Sequence, residues 1–432
     1  MKEKLTHIFN RLWPINRSIT GPGFRESLDI LSEIIPMERI YFKSGSHVFD
    51  WTIPDEWIVH DAYFIDPNGK KHAEFKKNNL HLLGYSIPIK GKMDFAELRT
   101  YIFTLPEFPE AIPYRTSYYH KNWGFCITHK EYENLPDGIY DVFIDTEFKK
   151  GFLEIGEIVL KGESEQEILF SSYLCHPSMA NNELSGPLVL TFLYDYVKNL
   201  KNRRYTYRFV LAPETIGAIS YLSIRGMHLK EKLVAGYIMT CLGDNRKFTY
   251  KLSRQGNSIA DRAAKIILRD NCEHHIIPFD PGNIGSDERQ YCSPGFNLPV
   301  GSLMRSMYGT FSEYHTSLDN VNFISFDALV RSVNIYSLIV NAMETNEYWE
   351  NTVMYCEPQL GRRGLYPTIS SINKNHYLKD LNAAMLWLLN YADGDHDLLD
   401  IADISKHRYD VLIEASKKLS EAELIKKKYA SE

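Results

Sequence analysis

Hydrophobic and polar positions alternate with two different periods along the chain. Residues 24–35 place apolar side chains three and four positions apart, directly after a Gly-Pro-Gly turn at 21–23. This spacing predicts an amphipathic helix that ends before Pro36. From 46 to 134, short aromatic and β-branched runs alternate with Pro and Gly, which predicts a small all-β unit.

Between residues 168 and 303, buried strands alternate with helical segments. This order favours a mostly parallel sheet flanked by helices, with right-handed crossovers. The predicted strands with the clearest pattern are 168–174, 207–211 and 234–239. The predicted helices are 185–199, 216–224, 257–268 and 325–345.

The last part of the chain has a separate pattern. Residues 357–367 are rich in Gly, Arg and Pro and are typical of a linker. Three short helices are predicted beyond it, at 381–391, 398–401 and 406–418, with turns at 392–395 and 403–405. Short helices joined by tight turns predict a helix-turn-helix or winged-helix module.

These patterns divide the chain into domains. We expect an α/β domain in two parts, 1–45 and 135–355, around an inserted β domain at 46–134. A linker and a winged-helix domain then occupy 356–432. The length of 432 residues suits two or three domains, and 44% hydrophobic with 24% charged residues is typical of globular proteins.

Charge and cysteine content exclude several classes of protein. A net charge of -6 gives no overall field that collects nucleic acid or anionic lipid, so we expect neither partner. The six cysteines are scattered without a CxxC pair, which favours reduced thiols. No leader-like start and no apolar run of about 18 residues is present, so we expect a cytoplasmic protein without a membrane partner.

Polar side chains follow the three predicted parallel strands at the point where each strand ends. His176 follows the first strand, Glu214 the second and Asp244 the third. Ligands of open α/β sheets bind at the carboxyl ends of the strands, so these side chains should face one cleft. Two later loop-like segments, 285–289 and 313–319, are also dense in acidic and metal-binding side chains.

Two histidines and several carboxylates brought together suit zinc. Zinc accepts imidazole nitrogen and carboxylate oxygen and lowers the pKa of a bound water to about 7. Glu183 precedes a predicted helix that carries Pro187 in its first turn. Glu183 is therefore either a zinc ligand or a capping carboxylate at that helix end.

Four segments resemble motifs of the M28-type zinc aminopeptidases. They are Cys175-His176-Pro177, Asn181-Asn182-Glu183-Leu184-Ser185-Gly186, Pro213-Glu214-Thr215-Ile216-Gly217 and Tyr314-His315-Thr316-Ser317-Leu318-Asp319. Segments 48–54, 175–187 and 285–289 resemble more closely a bacterial subgroup with an inserted small β domain and a C-terminal winged helix. The resemblance covers nearly the whole chain and implies a zinc aminopeptidase-like fold.

The chain departs from the family pattern at three positions. The family has acidic metal ligands where this chain has Asn182, Thr215 and Thr240. Neutral side chains cannot balance two dications, so the resemblance implies a single zinc. We predict that His176, His315 and Glu183 hold this ion.

Several other residues are further candidates for the site. Asp287 or Asp244 could replace Glu183 as the acidic zinc ligand, and Glu214 matches the catalytic base of the family. Asn182 is a further candidate for metal or substrate binding. Arg289, Arg115 and Tyr314 are candidates for stabilising an oxyanion, chosen by residue type alone.

Three functional hypotheses follow. The first is a zinc-dependent, aminopeptidase-like hydrolase that cleaves an amide bond of a peptide-like or other small amide-containing substrate. The second is a catalytically inactive, aminopeptidase-like binding protein linked to polysaccharide biosynthesis. The third is DNA binding by the helix at 406–418, but the aspartates around it repel phosphate, so oligomerisation or covering of the substrate is favoured for that module.

Overall fold

A central mixed sheet organises the molecule. The computed structural model describes residues 1–282, 285–365 and 376–428. The described residues form a sheet of eight strands. In spatial order these are Glu38–Lys43, Phe152–Leu160, Thr206–Ala212, Glu167–Tyr173, Leu233–Met239, Val300–Met304, Phe248–Lys251 and His274–Ile277.

The three predicted parallel strands lie side by side in the middle of this sheet. Glu167–Tyr173 pairs in parallel with Thr206–Ala212 on one side and with Leu233–Met239 on the other. Every residue of Glu167–Tyr173 and Thr206–Ala212 is buried, as expected for central strands that helices cover on both faces. The mostly parallel α/β architecture is thereby confirmed.

Helices cover the sheet. They are Lys2–Leu12, Pro22–Ser32, Ser185–Lys198, Ile216–Lys232, Ile259–Asn271 and Phe326–Glu344. The predicted helix at 216–224 is too short, since the helix continues to Lys232. Gly226 weakens the helical pattern, but a Cβ there would lie 2.3 Å from Cε1 of Phe296, so close packing requires the glycine.

A smaller antiparallel sheet of four strands is separate from the main one. Its strands are Lys71–His72, Glu56–Ile65, Ile139–Lys149 and Ile89–Asp94. Two-stranded ribbons, His47–Val48 with Trp51–Thr52 and Ile102–Phe103 with Phe125–Cys126, and the short helices Phe95–Leu98 and His129–Tyr132 complete this region.

The long strand Ile139–Lys149 belongs to the smaller sheet. It pairs with Glu56–Ile65 along nearly its whole length. The insert predicted at 46–134 ends before this strand, so the predicted boundary separates two paired strands of one sheet. The domain limits themselves stay a prediction.

The C-terminal region forms the predicted winged helix. Its helices are His376–Tyr391, Leu398–Ser405 and Tyr409–Glu421, and its strands are Tyr348–Asn351, Asp393–Asp397 and Ile425–Lys427. The predicted turn at 392–395 is wrong, because Asp393–Asp397 pairs with Tyr348–Asn351. That partner strand lies more than 40 residues upstream, beyond the reach of local sequence patterns. The predicted linker lies outside the described residues from 366 onward.

Ion pairs and hydrogen bonds fasten the winged helix to the helix Ile259–Asn271. Arg262 bonds Asp397 at 2.8 Å and Asp400 at 2.6 Å. Arg269 donates to the carbonyls of Ala402 and His407, at 2.9 Å each.

The third helix of the winged helix begins at this contact. The amide of Tyr409 donates to Asp270 at 2.7 Å. The third helix corresponds to the recognition helix of a helix-turn-helix protein, whose first residues contact the DNA bases. This docking supports the expectation that nucleic acid is not a partner, which stays a prediction. Within the described ranges, none of the helices is both long and apolar enough to cross a membrane.

Candidate metal centre and active site

His176 lies just beyond the central strand Glu167–Tyr173, and Glu183 holds it in place. The backbone N–H of His176 donates to Oε1 of Glu183 at 2.9 Å, and the ring Nδ1 lies 2.6 Å from Oε2. Both side chains are buried. A single π-helical turn, Ala180–Leu184, brings Glu183 back to the strand end. With Nδ1 engaged, the Nε2 atom of His176 is the nitrogen left for a ligand.

Neighbouring side chains raise the pKa of His176. Burial by itself lowers the pKa of His176, but the Cys175 sulfur and the Glu183 carboxylate hold it well above its usual value. Behind the site, the fully buried Arg17 donates from Nε to the carbonyl of His176 at 3.1 Å. Burial lowers the pKa of Arg17 to about 10, although Glu183 opposes the shift.

His315 approaches His176 from a loop after the strand Val300–Met304. The two ring centroids lie 5.4 Å apart at an interplanar angle of 40°. Among the described residues, Nε2 of His315 is buried and has no hydrogen-bond partner. Burial is the main cause that lowers the pKa of His315 to about 3, and repulsion from His176 adds to it, so the ring is neutral.

His315 also has an uncommon backbone conformation. Its φ of 53° lies in the left-handed region, where non-glycine residues are rare and often functional. The Tyr314 ring stacks on it at 3.9 Å. The inserted region fixes the loop, because the Tyr114 amide donates to the carbonyl of His315 at 2.8 Å.

These two histidines fit a shared zinc ion. Two imidazoles bound at about 2.0–2.1 Å in tetrahedral geometry have ring centroids roughly 5 Å apart. The observed separation is 5.4 Å. A metal would also satisfy the buried Nε2 of His315, which is costly to leave without a partner.

Two carboxylates belong to this region: Glu214 lies beside His176, and Asp287 lies close to Glu214. Glu214 follows the strand Thr206–Ala212, and its Oε2 is 3.6 Å from Nε2 of His176. Ser286 donates its hydroxyl to the other oxygen of Glu214 at 2.6 Å. Burial raises the pKa of Glu214, although attraction to His176 opposes the shift. The side chain keeps 26% of its surface exposed, so it can meet a substrate.

Asp287 is the second of these carboxylates. Its Oδ1 accepts a 2.6 Å bond from the amide of Thr215, a residue with a φ of 61°. Its Oδ2 is buried and has no hydrogen-bond partner among the described residues. Burial and repulsion from Glu214 raise the pKa of Asp287 well above its usual value. An uncompensated buried acid of this kind is typical of a metal or catalytic site.

Comparison with known proteins identifies the family. A model described as a domain of unknown function (DUF4910) matches residues 6–346. The chain belongs to the DUF4910 family. A winged helix-turn-helix model matches residues 347–427, which agrees with the C-terminal fold.

Two relatives are similar along nearly the whole chain. A Clostridium acetobutylicum protein, provisionally named a polysaccharide biosynthesis protein with an aminopeptidase-like domain, is 43% identical over 98% of this chain and 96% of its own. A solved structure of a C. acetobutylicum protein, provisionally called a peptidase, covers 99% of this chain and 96% of its own, with a TM-score of 0.91 and 41% identity.

More distant structures share the fold. The Bacillus subtilis zinc aminopeptidase BSAP has a TM-score of 0.57 and 10% identity over 79% of this chain and 94% of its own. An M28 peptidase precursor from Shewanella amazonensis has a TM-score of 0.57 and 12% identity over 79% of this chain and 92% of its own. The predicted zinc aminopeptidase-like fold is confirmed.

Asp244 and Asn182, two further predicted site residues, form hydrogen bonds with the surrounding protein. Asp244 accepts bonds from the Asn181 amide group at 3.0 Å and from the backbone N–H groups of Ser306 and Arg246 at 3.2 and 2.8 Å. Both of its oxygens are therefore engaged by protein donors. Asn182 accepts a 3.3 Å bond from Tyr173, while its Nδ2 is buried without a partner among the described residues.

The predicted cations are less firmly connected to the site. Arg289 donates from Nε to the carbonyl of Ser286 at 3.3 Å. Arg115 is exposed. Their predicted role towards an oxyanion stays a prediction.

Three residues at the site were missed by sequence reasoning. Ser286 lies within the predicted segment 285–289, so its position was available as a signal. Arg17 and Tyr114 gave none, because both come from segments far away in the chain. The Tyr114 ring lies 5.2 Å from both His176 and His315. It therefore forms one wall of the site.

Cys175 creates a second possible metal position. Its sulfur, the His176 ring and the Glu183 carboxylate have ligand atoms within 4.8 Å of one another. However, burial raises the pKa of the Cys175 thiol to about 11. A thiol must lose its proton to bind a metal, so this position is the less favourable of the two.

Proposed function

We propose that the protein is a zinc-dependent hydrolase of amide bonds that binds a single zinc between His176 and His315. The observation that carries this proposal is the 5.4 Å approach of the two rings, with the Nε2 of His315 buried and unpaired among the described residues. The zinc aminopeptidase fold and the name of the close relative support the same chemistry.

The acidic neighbours then take separate roles. We assign the third ligand position to Asp287, whose Oδ2 lacks a hydrogen-bond partner among the described residues. Glu183 remains a predicted ligand, but both of its oxygens already accept bonds from His176. We therefore favour Glu183 as the group that orients His176, since metal-bound histidines commonly donate their other N–H to a carboxylate.

Glu214 is suited to move the proton. A bound zinc lowers the pKa of water and polarises a carbonyl. Glu214 takes a proton from the attacking water, the carbon–nitrogen bond breaks, and the same carboxyl returns the proton to the leaving amine. Its raised pKa helps this exchange, and Ser286 holds the carboxyl in place. Tyr114 and Tyr314 limit access of bulk water to the two histidines.

The substrate class follows from the same considerations. We propose a small amide-containing compound, either a peptide or an amide-bearing sugar. The sugar is suggested by the name of the relative from C. acetobutylicum.

Metal analysis and a substitution of the base test the function. The wild-type protein should contain about one zinc per chain and hydrolyse members of a panel of aminoacyl anilides and N-acylated sugars. Glu214→Gln should keep the zinc and lose at least about 100-fold in turnover, because a positioned base contributes about 10²–10⁴. Glu347→Gln is a matched control, since this glutamate is 20% exposed and pairs with Lys427 away from the site.

The outcomes separate the two hypotheses. A protein that neither contains nor recruits zinc contradicts the proposal. Zinc binding without any turnover instead favours the catalytically inactive binding protein.

A further inference from the structure

Asp319 is a buried carboxylate that the proposed mechanism does not use. It follows His315 in the same loop, and its side chain is fully buried. Its Oδ1 accepts a bond from the backbone N–H of Asn181 at 2.6 Å, and its Oδ2 accepts one from the N–H of Asn182 at 2.9 Å. The backbone carbonyl of Asp319 also accepts the N–H of Ala180, at 3.0 Å. These bonds join two segments that are far apart in the chain.

The three donors belong to the turn that holds His176. The π-helical turn Ala180–Leu184 contains Glu183, whose carboxylate contacts both the backbone N–H and the ring of His176. The first N–H groups of a helix have no partner within the helix and carry partial positive charge, so a carboxylate stabilises them. Asp319 caps this turn and at the same time belongs to the His315 loop. It therefore connects one proposed zinc ligand with the support of the other.

The inserted region contacts the same loop through Ser317. The backbone N–H of Ile112 donates to the hydroxyl of Ser317 at 2.9 Å, and the N–H of Ser317 donates to the carbonyl of Ile112 at 2.9 Å. Together with the bond from Tyr114 to the carbonyl of His315, these contacts form a short antiparallel ladder. The Ser317 hydroxyl is a side-chain part of this ladder, so substitution can remove it.

The backbone of His315 requires such support. Its φ of 53° lies in the left-handed region, and a non-glycine residue stays there only where the surrounding contacts fix it. Metal sites need their ligand atoms placed to within about 0.5 Å. Contacts on both sides of the loop therefore bear directly on the 5.4 Å separation of the two histidine rings.

We infer that Asp319 and Ser317 are positioning residues that set the separation of the His176 and His315 rings. Asp319 connects the His315 loop to the turn that supports His176, and Ser317 connects the loop to the inserted region. Neither side chain is itself a ligand. The inference rests on the proposed function, because it concerns the same zinc site, and it makes the geometry of that site depend on the inserted region.

The full chain loaded with cobalt tests the role of Asp319. Cobalt can replace zinc at sites with nitrogen and oxygen ligands, and its visible absorption depends on the coordination geometry. In Asp319→Asn, either orientation of the amide leaves one backbone N–H facing an NH₂ group, so the turn and the loop move apart. The affinity for zinc should fall at least about tenfold, and the cobalt absorption should change.

Two substitutions of Ser317 test the contact with the inserted region. Ser317→Ala removes the acceptor of the Ile112 N–H, so the affinity for zinc should fall about fivefold, the equivalent of one hydrogen bond. Ser317→Thr keeps a hydroxyl at this position and should retain the wild-type affinity and absorption. This pair decides the result if Asp319→Asn does not fold.

Asp261→Asn is the matched control. Asp261 is also fully buried and accepts the backbone N–H groups of Ser253 and Ser258, at 2.8 Å each, at the start of the helix Ile259–Asn271. Its substitution should lower the thermal midpoint and leave the cobalt absorption unchanged. An equal change of absorption in the Asp261 and Asp319 variants indicates a general loss of structure and overturns the inference.

The remaining outcomes separate this inference from the proposed function. A wild-type chain that binds neither zinc nor cobalt overturns both. Metal binding by the wild type, with the same affinity and absorption in Asp319→Asn and Ser317→Ala, overturns the positioning roles alone. Loss of affinity in Ser317→Thr as large as in Ser317→Ala also contradicts the role of the hydroxyl.

Discussion

Replacing Glu183 with Gln isolates the role of one carboxylate at the metal centre. In the wild-type protein, Glu183 accepts bonds from the backbone N–H of His176 at 2.9 Å and from the ring Nδ1 at 2.6 Å. Glutamine keeps one acceptor oxygen and nearly the same shape, but it removes the negative charge and one of the two bonds. The His176 ring then becomes less basic and less firmly oriented.

The size of the effect follows from this geometry. Loss of such a partner typically lowers metal affinity about 10–100-fold. This corresponds to about 1.4–2.7 kcal/mol of binding free energy. We expect zinc affinity of Glu183→Gln to fall within this range while the stoichiometry remains one ion per chain.

Competition with a chromophoric zinc chelator measures the change. His315→Gln, which removes a ligand atom, should lose far more affinity, and Glu347→Gln should lose none. Circular dichroism and thermal unfolding check that the buried substitution leaves the fold intact. An unchanged affinity refutes the positioning role, and a loss as complete as that of His315→Gln shows instead that Glu183 is itself a ligand.

Three further predictions concern stability. In Arg208→Met, the buried carboxylates of Glu157 and Glu167 lose their shared cation, and unfolding free energy should fall by about 3–5 kcal/mol at pH 7. Burial raises the pKa of both acids, but Arg208 and neighbouring donors outweigh it and lower the pKa, so the wild type should lose this stability as pH falls below about 4.5. The variant should therefore be less destabilised, relative to the wild type, at pH 5 than at pH 8. Equal pH profiles of the two proteins in denaturant melts contradict this. Gly226→Ala should lower the thermal midpoint, because overpacking costs about 1–3 kcal/mol against a helix gain of about 1 kcal/mol, and a higher midpoint refutes the close contact with the facing phenylalanine ring. Arg262→Ala removes both aspartate contacts to the winged helix and should speed limited proteolysis next to that module, whereas an unchanged digestion pattern shows that other contacts suffice.

The local pattern of the sequence determined much of the central fold. Short, mostly apolar runs such as residues 168–170 and 209–212 favour burial, and within the alternation of strands and helices they predict buried parallel strands. Residues that follow these strands, His176 and Glu214, therefore lie at the binding edge by necessity. The predicted meeting of His176 with the distant His315 came from the family resemblance as well as from residue chemistry.

Contacts between distant segments decided the rest. Ile139–Lys149 belongs to the smaller sheet, and Asp393–Asp397 is a strand, because each found a partner strand elsewhere in the chain. Asp244 and Asp287 look alike in the sequence. Three protein donors bond to the oxygens of Asp244, whereas Oδ2 of Asp287 has no hydrogen-bond partner among the described residues. Hydrogen bonding depends on differences of less than an ångström, and only the packed tertiary structure fixes distances at that scale.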